Sequence, residues 1–305
     1  MIVRKPDGRW LPLRIDDFEA WQTRLLEESA YRLGAVLSGA GRVHRWGSVG
    51  APVEFCGQQT WLRVSPYLEH EMDETAWRGT RDAAAIPGVC KPSLLKHIEW
   101  STTVPVQVPV SAEVLTLVAD QPASRDRFLY QAPELSPAWY ANLAASLAAL
   151  ASWRTGRRFR VHDQAQYDYL LSATYRRPVP VGIAAEFGTE HLDLSWENVS
   201  APGFQILDME HWGLGVRGYG AAYLYLTSLG VPQVARQVHT ALADVLDSPS
   251  GHYAQLVAAA LIIRNLTRLA DPAGLAGMLH RYTDALLDGV RSDLLDPWRT
   301  ACPIS

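Results

Sequence analysis

The chain has 305 residues, 48% of them hydrophobic, enough material for two packed lobes or domains. Its net charge of −4, from 28 basic and 32 acidic side chains, gives no basic surface for nucleic acid. The opening MIVRKPDGRWLPLRIDDF has no apolar signal segment, and no run is long enough to span a bilayer. Cys56, Cys90 and Cys302 make neither a metal pattern nor a disulfide framework, so a cytoplasmic protein is expected.

In chain order, a helix is expected over residues 16–38. Asp16 or Asp17 caps it, and Phe18, Trp21, Leu25 and Leu26 recur at helical spacing. Ser38-Gly39-Ala40-Gly41 breaks it. Three β-like runs follow, at 43–46, 53–56 and 60–64, with turns at 47–52 and at Gly57-Gln58. Residues 69–86, rich in Glu and Ala, predict a second helix that Pro87-Gly88 stops. An apolar strand at 111–118 leaves through Asp120-Gln121-Pro122. The chain then turns helical. Residues 139–153 put Leu143, Leu147 and Leu150 on one face. Further helices are expected at 164–175, 218–229, 232–246, 252–270 and 276–295. A β-rich front and a helical back predict an α+β fold of two lobes: a small β-rich one over 1–118 and a larger helical one over 119–305. No internal repeat or low-complexity segment interrupts this order.

Two stretches of the helical half carry chemistry. His191-Leu192-Asp193 followed by Asn198 has the spacing H-x-D-x-x-x-x-N, and Asp208 closes the apolar run Phe204-Gln205-Ile206-Leu207 ten residues later. Phosphoryl transfer needs one carboxylate to accept the proton of the attacking hydroxyl. It also needs a carboxylate and a nearby amide to hold Mg²⁺ against the nucleotide phosphates. Asn is scarce, with only Asn142, Asn198 and Asn265, which sharpens the match. The plain alternative is a polar turn between two strands, with Asp193 capping it and His191 satisfied by backbone.

HLDLSWEN and ILDMEHW resemble the aminoglycoside phosphotransferase–choline kinase group, the small-molecule branch of the protein-kinase-like fold. That group reads H-G-D-x-x-x-x-N and then an apolar strand ending I-D-W or L-D-W-E. Leu192 stands here for the usual Gly. The continuation GLGVRGYGAAYLYL is similar to the family's passage into a helix of the larger lobe, with Gly220 where an Asp usually anchors the catalytic core. QTWLRVS, the acidic stretch after it and GVCKPSLL resemble the third strand, the C-helix and the next strand, and SAEVLTLVADQPAS resembles the hinge. The likeness runs from about Val43 onward.

The resemblance implies a bilobal protein-kinase-like fold and an ATP- and Mg²⁺-dependent kinase acting on a hydroxyl of a small molecule. Asp193 becomes the general base, with His191 and Asn198 in the catalytic set, and Asn198 and Asp208 hold Mg²⁺. On the nucleotide side Arg63 stands where Lys is usual. Glu74 is its expected partner, with Glu71 second. If Arg63 is instead a solvated strand residue, Lys91 or Lys96 supplies the cation. Gly47 and Gly50 bracket the turn where a phosphate-covering loop belongs, although a hairpin turn reads equally well. Backbone groups over 113–117, beginning at Glu113, would bind adenine.

The acceptor is less legible. Residues 122–305 carry 15 basic and 17 acidic side chains, so no acidic face argues for a cationic sugar. Arg154, Arg157, Arg158 and Arg160 suit an acidic substrate or peptide, or a solvated loop. Trp196, His211 and Trp212 read as an aromatic rim or as packing. The competing functions are three. One is a kinase acting on Ser or Thr of a ribosomally made precursor peptide, with a partner protein in a biosynthetic complex. Another is a non-catalytic pseudokinase, motivated by Arg63 and Gly220. The third is a metal hydrolase using His191, Asp193, Asp208 and His211.

Overall fold

The computed structural model describes residues 2–4, 10–12, 15–43, 48–67, 73–103, 107–159, 162–180, 183–266 and 274–289. The chain divides into two units, Met1–Ala85 with Pro92–Ala119, and Ile86–Lys91 with Asp120–Ser305. Gly47, Glu71 and Arg160 lie outside the described residues.

The first unit begins with a strand pair, β1 (Ile2–Arg4) and β2 (Trp10–Pro12), and a helix, α1 (Ile15–Leu33). The helix stops short of Ser38 because Gly34 takes a left-handed turn (φ +72°), which lets Ala35 N–H reach Ala30 O at 2.9 Å. β3 (Val36–Leu37), β4 (Arg42–Val43), β5 (Val49–Phe55), β6 (Gln58–Pro66), β7 (Leu94–Thr102) and β8 (Val108–Thr116) form one antiparallel sheet in the order β3-β5-β6-β8-β7, with β4 also on β5. Alternate residues of β6 and β8 face one way. Leu62, Val64, Val108, Val110, Ala112 and Val114 are buried with Trp21, Leu25, Leu26 and Leu33 of α1. The other set contains Arg63, Glu113 and His97, which stand side by side across β6, β8 and β7. The helix expected over 69–86 is two short pieces in the described part, α2 (Glu74–Trp77) and α3 (Gly79–Ala83), parted at Arg78. Gly79 is a poor helix former, and Asp73 caps α2 by accepting Thr75 N–H at 2.7 Å.

The second unit is mainly helical. A short strand β9 (Gln121–Pro122) leads to α4 (Pro137–Ser152) and α5 (Gln164–Tyr175), which Ser136 and Asp163 cap. β10 (Phe187–His191) pairs antiparallel with β12 (Trp212–Val216), and β11 (Ser200–Ala201) between them pairs with β9. Then come α6 (Tyr219–Thr227), α7 (Pro232–Ala241), α8 (Ala243–Leu246), α9 (Pro249–Leu266) and α10 (Leu275–Leu287). α6 is buried on every side and α9 on nearly every side, as helices apolar all round must be. The expected 232–246 helix is divided at Leu242 into α7 and α8. Among the described residues no helix is long and apolar enough to cross a membrane.

Candidate active site

The chemistry-bearing residues of the second unit sit on the loop that joins β10 to β12. His191 ends β10 opposite Trp212, and the chain turns at once, with Leu192 N–H bonded to His211 O at 2.7 Å. A 3₁₀ turn spans Trp196–Asn198, and a small inner hairpin follows. In that hairpin Leu207 N–H donates to Asn198 O at 2.8 Å, and Val199 bridges Ile206. Asn198 and Asp208 therefore leave neighbouring points of one hairpin although ten residues separate them. Beneath it, Trp139 stacks on Trp196 with centroids 5.7 Å apart and donates its indole N–H to Ser200 O at 2.8 Å.

His191 organises the two halves of the motif. Its Nδ1 accepts Asp193 N–H at 3.2 Å, which leaves the proton on Nε2 to donate to Asp208 O at 2.7 Å. Burial pushes its pKa below the ordinary imidazole value, against the pull of the Asp208 carbonyl and the nearby carboxylates. The ring is thus neutral and acts as a brace. Asn198 Nδ2 donates to Asp193 O at 2.8 Å and lies 3.4 Å from Asp193 Oδ2. Its amide nitrogen is spent there, so its carbonyl oxygen is the atom available to a cation.

Mg²⁺ takes hard oxygen ligands and keeps several waters and phosphate oxygens. One amide oxygen and the Asp208 carboxylate, one of whose oxygens accepts Glu210 N–H at 3.0 Å, suit that partial set. Among the described residues no group of three or more His, Cys, Asp or Glu is placed to hold an ion, so none supports the metal-hydrolase alternative. Both nitrogens of His191 are already committed.

Two residues that the sequence did not single out complete the site. Arg127 reaches Asp193 with Nη1–Oδ1 at 2.5 Å and Nη2–Oδ2 at 3.3 Å. The same guanidinium lies 3.2 Å from Tyr223 Oη, and its Nε is 3.4 Å from Glu197 Oε1. Burial works against its charge, but Asp193 and Tyr223 outweigh burial and hold it protonated. The second residue is Glu190. Its carboxylate accepts Gly218 N–H at 2.8 Å and Gly220 N–H at 3.3 Å, capping the first turn of α6. Where the resemblance puts an acid on α6, the first turn of α6 is instead bonded by an acid of β10. A Cβ at Gly220 would stand 2.9 Å from His191 O, so the helix lies too close for any side chain there. Gly220 marked a missing acid without pointing to Glu190; Arg127, in Ser124-Arg125-Asp126-Arg127, had no spacing signal at all.

Glu190 leaves a mark on stability. Burial raises its pKa from 4.5 to about 7, against the two backbone donors. Its contribution is complete below pH 4.5 and is lost as pH rises through 7, because the unfolded chain ionises first. His162 acts oppositely: burial lowers its pKa from 6.5 to about 4, so stability rises with pH across that interval. The difference between the wild type and Glu190→Gln isolates the first effect. Urea unfolding should show the wild type losing roughly 3 kcal/mol relative to the variant between pH 4.5 and 7.5. Parallel pH profiles would contradict this.

Other expected site residues fall elsewhere. In the first unit Arg63 Nη1 donates to Thr80 Oγ1 at 2.8 Å, whereas Glu74 pairs with Arg78 at 3.6 Å. Thr80 is thus one partner of Arg63, while Glu74 is turned to Arg78. Gly50 lies inside β5, where its missing Cβ makes room for the Trp61 ring, at 2.6 Å from where that atom would be. It serves packing and is not part of a covering loop. Glu113 is paired on both sides within the sheet, so its backbone is not a hinge group; the ladder ends at Thr116. Lys96 donates to Leu33 O and Lys91 to Ile86 O.

The aromatic rim is packing: Trp196 and Trp212 are buried. Of the arginine cluster, Arg157 turns inward, bonding Trp212 O at 3.0 Å and lying over the Trp212 ring, while Arg154 and Arg158 are exposed.

No family model matches the chain, and no curated protein sequence is significantly similar to it. Solved structures share its fold. Amicoumacin kinase hAmiN, in complex with AMP-PNP, Ca²⁺ and Ami, superposes with a TM-score of 0.54 at 11% identity, over 94% of this chain and 99% of that one. A thermostable mutant of aminoglycoside phosphotransferase APH(4)-Ia, in ternary complex with ADP and hygromycin B, gives 0.52 at 14% identity, over 87% and 98%. The chain has the α+β, protein-kinase-like fold that the motifs implied.

Proposed function

We propose that this chain is an ATP-dependent phosphotransferase that moves the γ-phosphate to a hydroxyl of a small molecule. The observation that carries the reading is the brace at His191, which ties the Asp193 backbone to the Asp208 backbone, with Asn198 bonded to Asp193. A polar turn alone needs no imidazole that ties the Asp193 backbone to the Asp208 backbone. Asp193 is the general base for the acceptor hydroxyl. Asn198 Oδ1 and Asp208 would hold Mg²⁺, which when bound offsets the charge of the nucleotide phosphates. AMP-PNP in the amicoumacin kinase complex and ADP in the aminoglycoside phosphotransferase complex support this use of ATP.

Arg63 is the proposed phosphate-holding cation of the first unit, with Thr80 as its support. A guanidinium can fork two phosphate oxygens where an ammonium gives one point of charge. Arg63→Ala should weaken ATP affinity about tenfold or more, and Arg63→Lys should keep part of it. Calorimetric titration with Mg²⁺-ATP tests both this and the whole reading. Wild-type protein that binds no Mg²⁺-nucleotide would leave a pseudokinase. Of the arginine cluster that motivated the peptide-kinase reading, Arg157 is engaged with the backbone oxygens of Trp212 and Glu210, which leaves the exposed Arg154 and Arg158 to meet an acidic peptide.

A further inference from the structure

We infer that Arg127 is a catalytic residue that contacts the phosphoryl group in flight, an arginine finger supplied by the chain's own loop. The inference rests on the phosphotransferase reading. It starts from where the loop is fixed. Ala123 N–H donates to Val199 O at 2.8 Å, Ser124 N–H to Trp196 O at 3.0 Å, and Leu129 N–H to Thr227 O at 3.0 Å. Within the loop, Ser124 Oγ donates to Phe128 O and Asp126 Oδ1 accepts Phe128 N–H, both at 2.8 Å. The segment that carries Arg127 is thus pinned to the catalytic loop and to α6, and its guanidinium has a set position.

The donor inventory then decides what that position can do. A guanidinium has five N–H groups. Nη1 serves Asp193 and Tyr223, Nη2 serves Asp193, and Nε serves Glu197. Hydrogen bonds use three of the five, Nε faces Glu197 in an ion pair, and the remaining N–H is on Nη2. Asp193 in turn has about four lone-pair sites. Arg127 and Asn198 take three of them. One acceptor site remains for a hydroxyl and one donor remains beside it.

In the transfer step the acceptor hydroxyl gives its proton to Asp193. Its oxygen bonds to the γ-phosphorus, and the bond from that phosphorus to the ADP oxygen breaks with the electron pair leaving on ADP. Hydrogen-bond reach plus a near-attack distance puts that phosphorus roughly 6 Å from the carboxylate. The Nη2 donor stands on the same carboxylate and so meets the equatorial oxygens, where charge gathers. Arg127 neither gives nor takes a proton. A residue that only positioned Asp193 would leave the affinity for a transferring-phosphoryl mimic unchanged.

ADP, Mg²⁺ and fluoroaluminate mimic the phosphoryl group in transit. By calorimetry the wild type should bind ADP about a hundredfold more tightly with fluoroaluminate than without. Arg127→Ala should lose nearly all of that gain while its affinity for Mg²⁺-ADP stays within about threefold, which also reports that the variant is folded. Arg127→Lys should keep part of the gain, and so should Asp193→Asn, which keeps one acceptor oxygen for Arg127 while Tyr223 and Glu197 still hold the guanidinium. An Arg127→Ala protein that retains the gain, or a wild type that shows none while binding ADP, overturns the role of Arg127 alone. A wild type that binds no Mg²⁺-ADP overturns the phosphotransferase reading with it.

Discussion

Asp193→Asn should lower turnover of the true acceptor by about 10²–10⁴-fold, the range a positioned general base supplies. The amide keeps the size and the acceptor oxygen of the carboxylate but removes its charge and basicity. Nucleotide affinity should stay within about threefold, because the carboxylate meets the acceptor and not the nucleotide. Asn198 keeps its 2.8 Å bond, since that bond goes to the backbone oxygen of Asp193, and His191 keeps the Asp193 N–H. The loop therefore retains its shape, and a loss of rate reports chemistry. Initial rates with Mg²⁺-ATP, together with an ATP titration of the same protein, check both halves. Turnover equal to the wild type would remove Asp193 from the mechanism.

Gly220→Asp should also be severely impaired, although the resemblance by itself says that it restores a missing anchor. The new Cβ would lie 2.9 Å from His191 O, a backbone atom that cannot swing aside, and 3.7 Å from Glu190 Oε2. The catalytic strand must shift by some tenths of an ångström, and a second carboxylate enters a site where Glu190 is already buried. Crowding of a packed interior costs about 1–3 kcal/mol, and small displacements of a catalytic loop cost about 10²-fold in rate. Thermal unfolding and turnover should fall together. A Gly220→Asp protein with native melting and rate would show that Glu190 is not the anchor.

How much was legible follows from how local each feature is. The H-x-D-x-x-x-x-N spacing and the following Asp208 were readable because the loop and its inner hairpin are built from contiguous chain. The α+β order of sheet and then helices was readable from period-2 and period-3.6 patterns, each a property of short windows. The helix over 69–86 was misjudged because composition ignores where Gly79 falls. Whether Trp196 and Trp212 form a rim or pack stayed open in the sequence, because an aromatic next to a motif has the same letters whether it faces solvent or stacks on Trp139.

The sequence by itself determined which oxygen-bearing side chains the loop carries and the α+β order of the chain, since residue types at fixed spacing on one segment suffice for both. Only the tertiary structure decided which distant groups complete the site. Arg127 reaches Asp193 across 66 positions, and Glu190 caps α6 across 28 and 30. Thr80, 17 positions away, accepts a bond from Arg63, a contact with no signal in the spacing. The physical reason is common to all three. A charged or hydrogen-bonding side chain is satisfied by whatever donor or acceptor the packing brings within about 3 Å, and sequence distance does not enter that condition.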